Sequence, residues 1–538
     1  MKISIHIPMI QRIKRMLGIG KPDPSQGNSL IINVERLERR VALLENGVLE
    51  EYTVEREGDQ NIVGGIFKGR VKNIEPGLKA MFVDIGLEKN AFLHFWDAIP
   101  AALDAGLEEI EREGRPKKQQ QKKISSKDIP DIYPIGAEIM IQVSKGPIGT
   151  KGPRVTTNIS LAGRYLVLMP YTEQFGISRK IEDPKERQRL RKIVQKLSIP
   201  EGMGIIMRTV AQGTRARHFV RDLAMLLDQW REVEEKRDSQ PAPVCTYQEP
   251  GLIESTARDF LTDEISQVLC DDLETTEMIR EIAGKVSRRA KRRIHHLPSA
   301  PIPIFDKVGI QKQIDEAFSR QVWLPCGGYI VIDETEALIS IDVNTGRNRG
   351  SKDVDKMIME TNVEAAVEVA RQLRLRNIGG LVVVDFIDMR HRKDQQAVYK
   401  AMKDRLKKDK AKTQVLQISP IGLMEMTRQR LNESLRETMF EPCPYCQGRG
   451  RVKTTMTMSV EIQRKLNSVI QKHRESLGDI IVVVNADVLN RFKTEDSHLL
   501  MDIERQHSGR LIFRSDPSLH RERFAIIDAT TDRAIEQN

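Results

Sequence analysis

The chain has 538 residues, with 86 Lys and Arg against 76 Asp and Glu, so its formal net charge is +10. At 39% hydrophobic and 30% charged residues it is neither a disordered chain nor a collagen, and no uncharged apolar run nears the roughly 18 residues of a membrane-spanning helix. Five cysteines in this length exclude a secreted disulfide framework and predict a reducing compartment, the cytoplasm.

Length alone predicts about three or four domains. Residues 1–28 form a basic N-terminal extension in which Ile7, Ile10, Ile13 and Leu17 share a helical stripe; the reading is a terminal extension rather than a membrane anchor. From Leu30 the pattern turns to short strands, with a hairpin turn at Asn46-Gly47. From about 61 to 157 the strands GIFKGRVKNIE, AMFVDIG, NAFLHFW and EIMIQVSK predict a small closed barrel. Arg115 to Lys123 (RPKKQQQKK) is a low-complexity basic insertion, read as a solvated loop.

From about 158 to 243 come strands RYLVLMP and GIIMRTV, then a helix from Arg217 to Lys236. A basic helical region follows, ending in VSRRAKRRIHHLP. Residues 304–440 read as α/β. A helix is predicted over Asp355–Asn377, with Ile358, Ala365, Val369 and Leu373 on one face and Gly379-Gly380 at its end. Leu381 to Ile387 (LVVVDFI) is nearly all apolar, as for a strand buried on both faces, and strand, helix, strand at this spacing pairs parallel strands. After Arg451 a smaller helix-plus-strand tail follows.

Four groups of residues carry candidate chemistry. Asp342 and Asn344 are two apart on one strand, so they share a face, and Asp385 interrupts the apolar run. A buried carboxylate costs several kcal/mol unless paired or metal-bound. Two carboxylates and an amide oxygen suit Mg²⁺ that keeps several waters; each Asp alone reads better as a cap of a turn or helix, and it is the pair on adjacent strands of a basic protein that favours the metal. Asp388 is a weaker candidate on the opposite face from Asp385. Cys443-Pro-Tyr-Cys446 supplies two thiols where a structural zinc wants four, so two subunits sharing one ion would complete it. Redox chemistry and two unliganded loop thiols are the alternatives. Phe82 and Phe92, with Lys79, Lys89, Lys145 and Lys151 nearby, suit single-stranded RNA, whereas Phe in a strand is more often core. Arg179-Lys180 and Arg208-Thr209 suit a terminal phosphate, or simply a surface.

In chain order, SLAGRYLVLMP (160–170), GISRKI (176–181), IPEGMG (199–204) with Arg208-Thr209, SIDVN (340–344), ARQLRLRNIGGLVVVDFIDM (370–389), GLMEMTRQR (422–430) and CPYCQGRG (443–450) resemble the ribonuclease E/G family. The resemblance covers about residues 30 to 530. It implies a structural ribonuclease-H-like subdomain from 29–63 and 245–315, with an inserted OB-fold RNA-binding barrel (64–157, basic insertion near 113–125) and a 5′-sensor (158–244). A deoxyribonuclease-I-like α/β catalytic subdomain (316–438), a zinc link (439–453) and a small α/β dimerisation domain (454–538) would complete the chain.

It further implies an Mg²⁺-dependent endoribonuclease that cleaves single-stranded RNA, including rRNA precursors and mRNA. Such an enzyme is stimulated by a 5′-monophosphate and leaves 5′-phosphate and 3′-hydroxyl ends. Asp342 and Asp385 match the Mg²⁺-binding aspartates, and Asn344 the asparagine that assists the scissile phosphate. Cys443 and Cys446 match cysteines sharing Zn²⁺ across a homodimer or homotetramer. Phe82, Phe92 and Lys151 match RNA-gripping barrel residues, joined by Lys145. Gly163, Val167, Arg179, Arg208 and Thr209 match the 5′-monophosphate pocket, with Lys180 and Lys412 standing where some members have Arg. The chain lacks the long disordered scaffold of the large members and so looks closer to ribonuclease G by length. The rival reading is a non-catalytic RNA-binding protein with a zinc-bridged dimer.

Overall fold

The computed structural model describes residues 27–56, 62–99, 107–110, 128–147, 151–260, 264–286, 288–299, 301–335, 337–347, 353–430, 434–473 and 478–537. The N-terminal extension and the basic insertion lie outside these. The chain splits into two compact units, Met1–Thr438 and Met439–Asn538. Among the described residues no helix is long and apolar enough to cross a membrane.

In the first unit, strands Asn28–Val34, Glu38–Glu45 and Val48–Arg56 form an antiparallel meander. Asn46 and Gly47 both take positive φ at its tight turn, as the Asn-Gly pair predicts. Ile265–Cys270 and Ile294–His296 add in parallel on the other side of Asn28–Val34. That strand is central because both its faces are apolar: Leu30 and Ile32 enter one core cluster and Ile31 another. Cys270 is fully buried there, a small core residue.

Ile66–Glu75, Ala80–Asp84, Ala91–His94, Arg154–Thr156 and Glu138–Lys145 pair in that order, and the last returns to Ile66–Glu75 to close a five-stranded barrel. Met81, Val83, Leu93, Ile141 and Val143 fill it. Strand pairing departs from the expected boundaries at two places. Leu107–Glu109 leaves the barrel to pair with Phe175–Ser178 in the next sheet. Val244–Tyr247 pairs with the barrel strand Ile66–Glu75. Each covers an otherwise open sheet edge, Ile110 joining the Phe175 core and buried Thr246 bonding the Ile66 carbonyl at 3.0 Å.

That next sheet orders Leu161–Ala162, Leu166–Met169, Gly204–Met207, Phe175–Ser178 and Leu107–Glu109. The helix Ala216–Ser239 packs on it with Phe219, Leu223, Leu226, Trp230 and Val233.

A six-stranded mixed sheet carries Gln321–Trp323, Tyr329–Glu334, Ile339–Asn344, Gly380–Asp385, Leu423–Arg428 and Thr413–Val415. Ile339–Asn344 and Gly380–Asp385 are parallel, joined through the helix Val354–Leu375. Ala365, Val369 and Leu373 are buried on it as the period predicts, whereas Ile358 is only partly so. Asn377 takes the left-handed conformation directly after it, and Gly380 of the predicted Gly pair also has a positive φ.

The expectation of a doubly buried strand at 381–387 is corrected. Val382 and Val384 face the helices, but Leu381 is 43% exposed and Asp385 is exposed. The helices Val354–Leu375 and Arg392–Leu406 pack together, and the core they share with the sheet takes only alternate strand residues. The other face therefore stays open. Arg374 and Arg405 converge on buried Glu50, tying both helices to Val48–Arg56.

Among the described residues the second unit has one sheet, ordered Leu511–Ser515, Ile480–Val484, Phe524–Asp528 and Arg533–Gln537. The helix Thr455–Lys472 buries Met458, Ile462, Leu466 and Val469 in its core.

Candidate active site

Alternation along Ile339–Asn344 puts Ile339, Ile341 and Val343 in the core and Ser340, Asp342 and Asn344 on the open face. On the neighbouring parallel strand Asp385 is the register partner of Asp342. Adjacent strands lie about 4.8 Å apart, so the two carboxylates stand side by side. Asn344 Nδ2 donates to Asp342 Oδ2 at 2.7 Å, fixing the amide against that carboxylate. Gly328 lets the next strand pass close, since a Cβ there would meet the Asn344 carbonyl at 2.9 Å.

Both acids are exposed, so burial does not force their pairing; the sheet register does. The site has the donor set for a hydrated Mg²⁺, which is satisfied by one or two carboxylates plus waters. Among the described residues no group of three or more His, Cys, Asp or Glu is placed to hold a metal ion. Asp388 lies past the strand end, lining a cavity of about 200 Å³ with Phe386, Gln395, Ile418 and Ile421.

On the barrel, Phe82 and Phe92 are cross-strand partners whose rings meet edge to face at 5.8 Å. They are half-buried, while their neighbours Met81, Val83 and Leu93 fill the interior. The pair therefore lies on the outer wall. Lys145 and Lys151 are exposed, and Lys145 is paired in register with Arg154. Arg154, which the sequence reading passed over, is held at 2.7 Å by Asp97.

Around Gly163 the loop is organised by a residue the sequence reading missed. Asp222 is buried, and its carboxylate accepts from the backbone N–H groups of Arg164, Tyr165 and Leu166 at 3.1, 2.8 and 2.9 Å. A Cβ at Gly163 would meet Asp222 Oδ2 at 2.8 Å, so glycine is required. Asp222 sits on the apolar stripe of its helix between Phe219 and Leu226, and that misplaced charge was its one visible cue.

Arg208 Nη1 donates to the Gly163 carbonyl at 2.6 Å and to Asp259 at 2.7 Å. Burial pushes the Asp259 carboxyl up, but Arg208 and Arg258 outweigh it and hold it below its ordinary value. Nearby, burial and then Arg217, Arg221, Arg164 and Arg215 push His218 down, leaving a strongly cationic neighbourhood around a neutral imidazole. Val167 is paired with Ile206, and Thr209 is exposed just after Arg208. Arg179 is exposed beside Lys180. Lys180 Nζ donates to the Asp409 carbonyl at 2.5 Å, and burial pushes its ammonium down. Asp409 is itself locked by Arg428 at 2.7 and 3.0 Å, three residues before Lys412.

In the second unit, Cys443 and Cys446 lie in a knuckle where Gln447, Gly448 and Gly450 take positive φ. The Gly450 N–H points to Cys446 Sγ at 3.3 Å. Donors from the Cys446 and Tyr445 backbone and from Cys446 hold the Cys443 thiol below its ordinary value. Two thiols with amide donors suit zinc but fill half its coordination.

The model of the "Ribonuclease E/G family" matches residues 160–431, and that of the "RNase E/G, Thioredoxin-like domain" matches 442–530. Ribonuclease G of Salmonella typhimurium (strain SL1344) is 37% identical over 499 residues, 93% of this chain and 99% of the relative. Ribonuclease G of Escherichia coli (strain K12) is 37% identical over 498 residues, with the same coverage. Ribonuclease E of the same strain is 37% identical over 481 residues, 89% of this chain but 44% of its own length. The protein is therefore an endoribonuclease. The chain belongs to the ribonuclease E/G family. A non-catalytic RNA-binding protein is thereby displaced.

Proposed function

We propose that the protein is an Mg²⁺-dependent endoribonuclease of RNA processing and decay. It cuts single-stranded RNA, rRNA precursors and mRNA among them, favours a 5′-monophosphate, and leaves 5′-phosphate and 3′-hydroxyl ends. The observation that carries this reading is the register pairing of Asp342 with Asp385 on an open sheet face, with Asn344 hydrogen-bonded to Asp342. Mg²⁺ held by these two carboxylates would supply an activated water and neutralise charge on the phosphodiester. Asn344 orients Asp342 and faces the scissile phosphate.

Phe82 and Phe92, with Lys145 and Lys151, grip the strand. Arg179, Lys180, Arg208, Thr209 and Lys412 receive the 5′-phosphate around Gly163 and Val167, a role supported by the cationic neighbourhood of His218. The domain assignments follow the family: ribonuclease-H-like, OB-fold, 5′-sensor, deoxyribonuclease-I-like, zinc link and dimerisation domain. Cys443 and Cys446 share Zn²⁺ between subunits of a cytoplasmic homodimer or homotetramer.

The test uses a single-stranded A/U-rich oligonucleotide carrying a 5′-monophosphate or a 5′-hydroxyl. Cleavage should require Mg²⁺, stop with EDTA and run faster on the monophosphate. Asp385→Asn should bind RNA and lose cleavage. Full activity in that variant overturns the active-site assignment; equal rates on the two ends overturn the sensor.

A further inference from the structure

The open face of the mixed sheet carries aromatic surface that nothing above uses. Strand register fixes its place. Trp323 pairs with Tyr329, and Tyr329 pairs with Asn344. Cross-strand partners point to the same side, so Trp323, Tyr329 and Asn344 form one transverse row. The adjacent row holds Gln321, Val331, Asp342 and Asp385. Trp323 thus lies two strand spacings, about 10 Å, from Asn344, with Tyr329 between them.

The rings of Trp323 and Tyr329 meet edge to face at 5.3 Å, and the Arg347 guanidinium stands 5.4 Å over the Trp323 ring. Trp323 is 52% exposed, although it is the largest side chain on an edge strand. Among the described residues Arg347 has no acidic partner.

We propose that Trp323 and Tyr329, with Arg347, form a base-stacking platform for a nucleotide of the single-stranded substrate next to the Asp342–Asp385 pair. The proposal rests on the reading that this face binds RNA. An exposed indole with a cation on its ring fits a nucleic acid strand in both respects. The ring offers a base a stacking surface, and the guanidinium offers the phosphate a charge. The platform also continues the row that begins at Asn344, so a strand whose phosphate lies on the acids can place a neighbouring base on it. Stacking of this kind tolerates any base.

Fluorescence isolates Trp323, because the protein has three tryptophans, Trp230 is buried and Trp96 is removed by Trp96→Phe. In full-length Trp96→Phe protein with EDTA, a single-stranded oligonucleotide should quench the emission. Trp96→Phe/Trp323→Phe should show no such change. With Mg²⁺, Trp323→Ala should raise KM about tenfold with kcat nearly unchanged, and Trp323→Phe should recover most of it.

Unchanged quenching without Trp323, an unchanged KM in Trp323→Ala, or a fall in kcat alone would overturn the proposal. So would a change in oligomeric mass with RNA affinity intact, which would make Trp323 a contact between copies. Quenching by RNA in an intact protein that cleaves nothing would remove the active-site reading and leave the platform standing.

Discussion

Asp342 and Asp385 are register partners on adjacent parallel strands, and both side chains project from the uncovered face of their sheet. Two like charges held this close repel, and a cation or hydrogen-bond donors beside them offset that repulsion. The Asn344 amide is such a donor, to Asp342.

Removing that amide should weaken the ion site before it harms the chemistry. Asn344→Ala leaves Asp342 without its 2.7 Å donor, and loss of such a supporting hydrogen bond lowers metal affinity by about 10- to 100-fold. The Mg²⁺ concentration giving half-maximal cleavage should rise by that factor, while binding of a single-stranded oligonucleotide in EDTA stays unchanged. An unaltered Mg²⁺ dependence would free Asn344 of this role.

The sequence shows this region unevenly, for physical reasons. Asn46-Gly47 and the Ala365, Val369, Leu373 stripe were legible because a turn and a helix face are set by near neighbours. The convergence of Asp342 and Asp385 followed from strand, helix, strand spacing. Its stated cause did not survive, since Asp385 is exposed rather than buried in an apolar strand. An apolar run reads the same whether one face or two are covered, and only the placement of Val354–Leu375 and Arg392–Leu406 decides that. Asp259 and Asp409 were invisible for a related reason, their bonds to Arg208 and Arg428 spanning 51 and 19 residues; Asp222 showed only a charge on an apolar helix stripe, not its partners 56 to 58 residues away. The pairing of Leu107–Glu109 with Phe175–Ser178 skips across a basic insertion, and local pattern cannot foresee it.

The Asp259 carboxylate makes stability depend on pH in a definite direction. Its folded pKa lies below the ordinary 3.8, because Arg208 and Arg258 overcome the effect of burial. The unfolded chain therefore takes up the proton first as pH falls. The contribution is fully present above 3.8 and is lost as pH drops through the lowered folded value. Asp259→Asn should be less stable than the natural protein by about 1–3 kcal/mol at neutral pH. Urea denaturation should show that gap closing only in strong acid. A gap that persists there would mean the loss comes from packing.

Asp409 and Arg428 form an enclosed ion pair, with side chains 2% and 4% exposed, and the Asp409 carbonyl accepts from Lys180 of the proposed phosphate pocket. Arg428 also donates to the Ile378 carbonyl at 2.7 Å, and the Asp409 carboxylate accepts from the Ala411 N–H at 2.9 Å. Breaking such a pair strands a buried charge and costs about 3–5 kcal/mol. Asp409→Ala should lose that much stability and shift the segment leading to Lys412, so the preference for a 5′-monophosphate falls. Arg428→Met/Asp409→Leu, which removes both charges, should regain much of the stability. Equal losses in the single and double variants would contradict the pairing argument.

The two-thiol knuckle makes a stoichiometric prediction. Cys443 and Cys446 would supply two of the four ligands a structural zinc needs, and the Gly450 N–H at 3.3 Å from Cys446 Sγ is the kind of donor that steadies a thiolate. A zinc shared between two chains gives about half an ion per chain. Metal analysis should find that ratio, and a strong chelator should halve the sedimenting mass as the ion leaves. Cys446→Ser should reproduce the smaller species without chelator. One full zinc per chain would require ligands from within a single subunit. A metal-free pair that oxidises reversibly would instead assign the thiols to redox chemistry, for which the lowered Cys443 thiol is also suited.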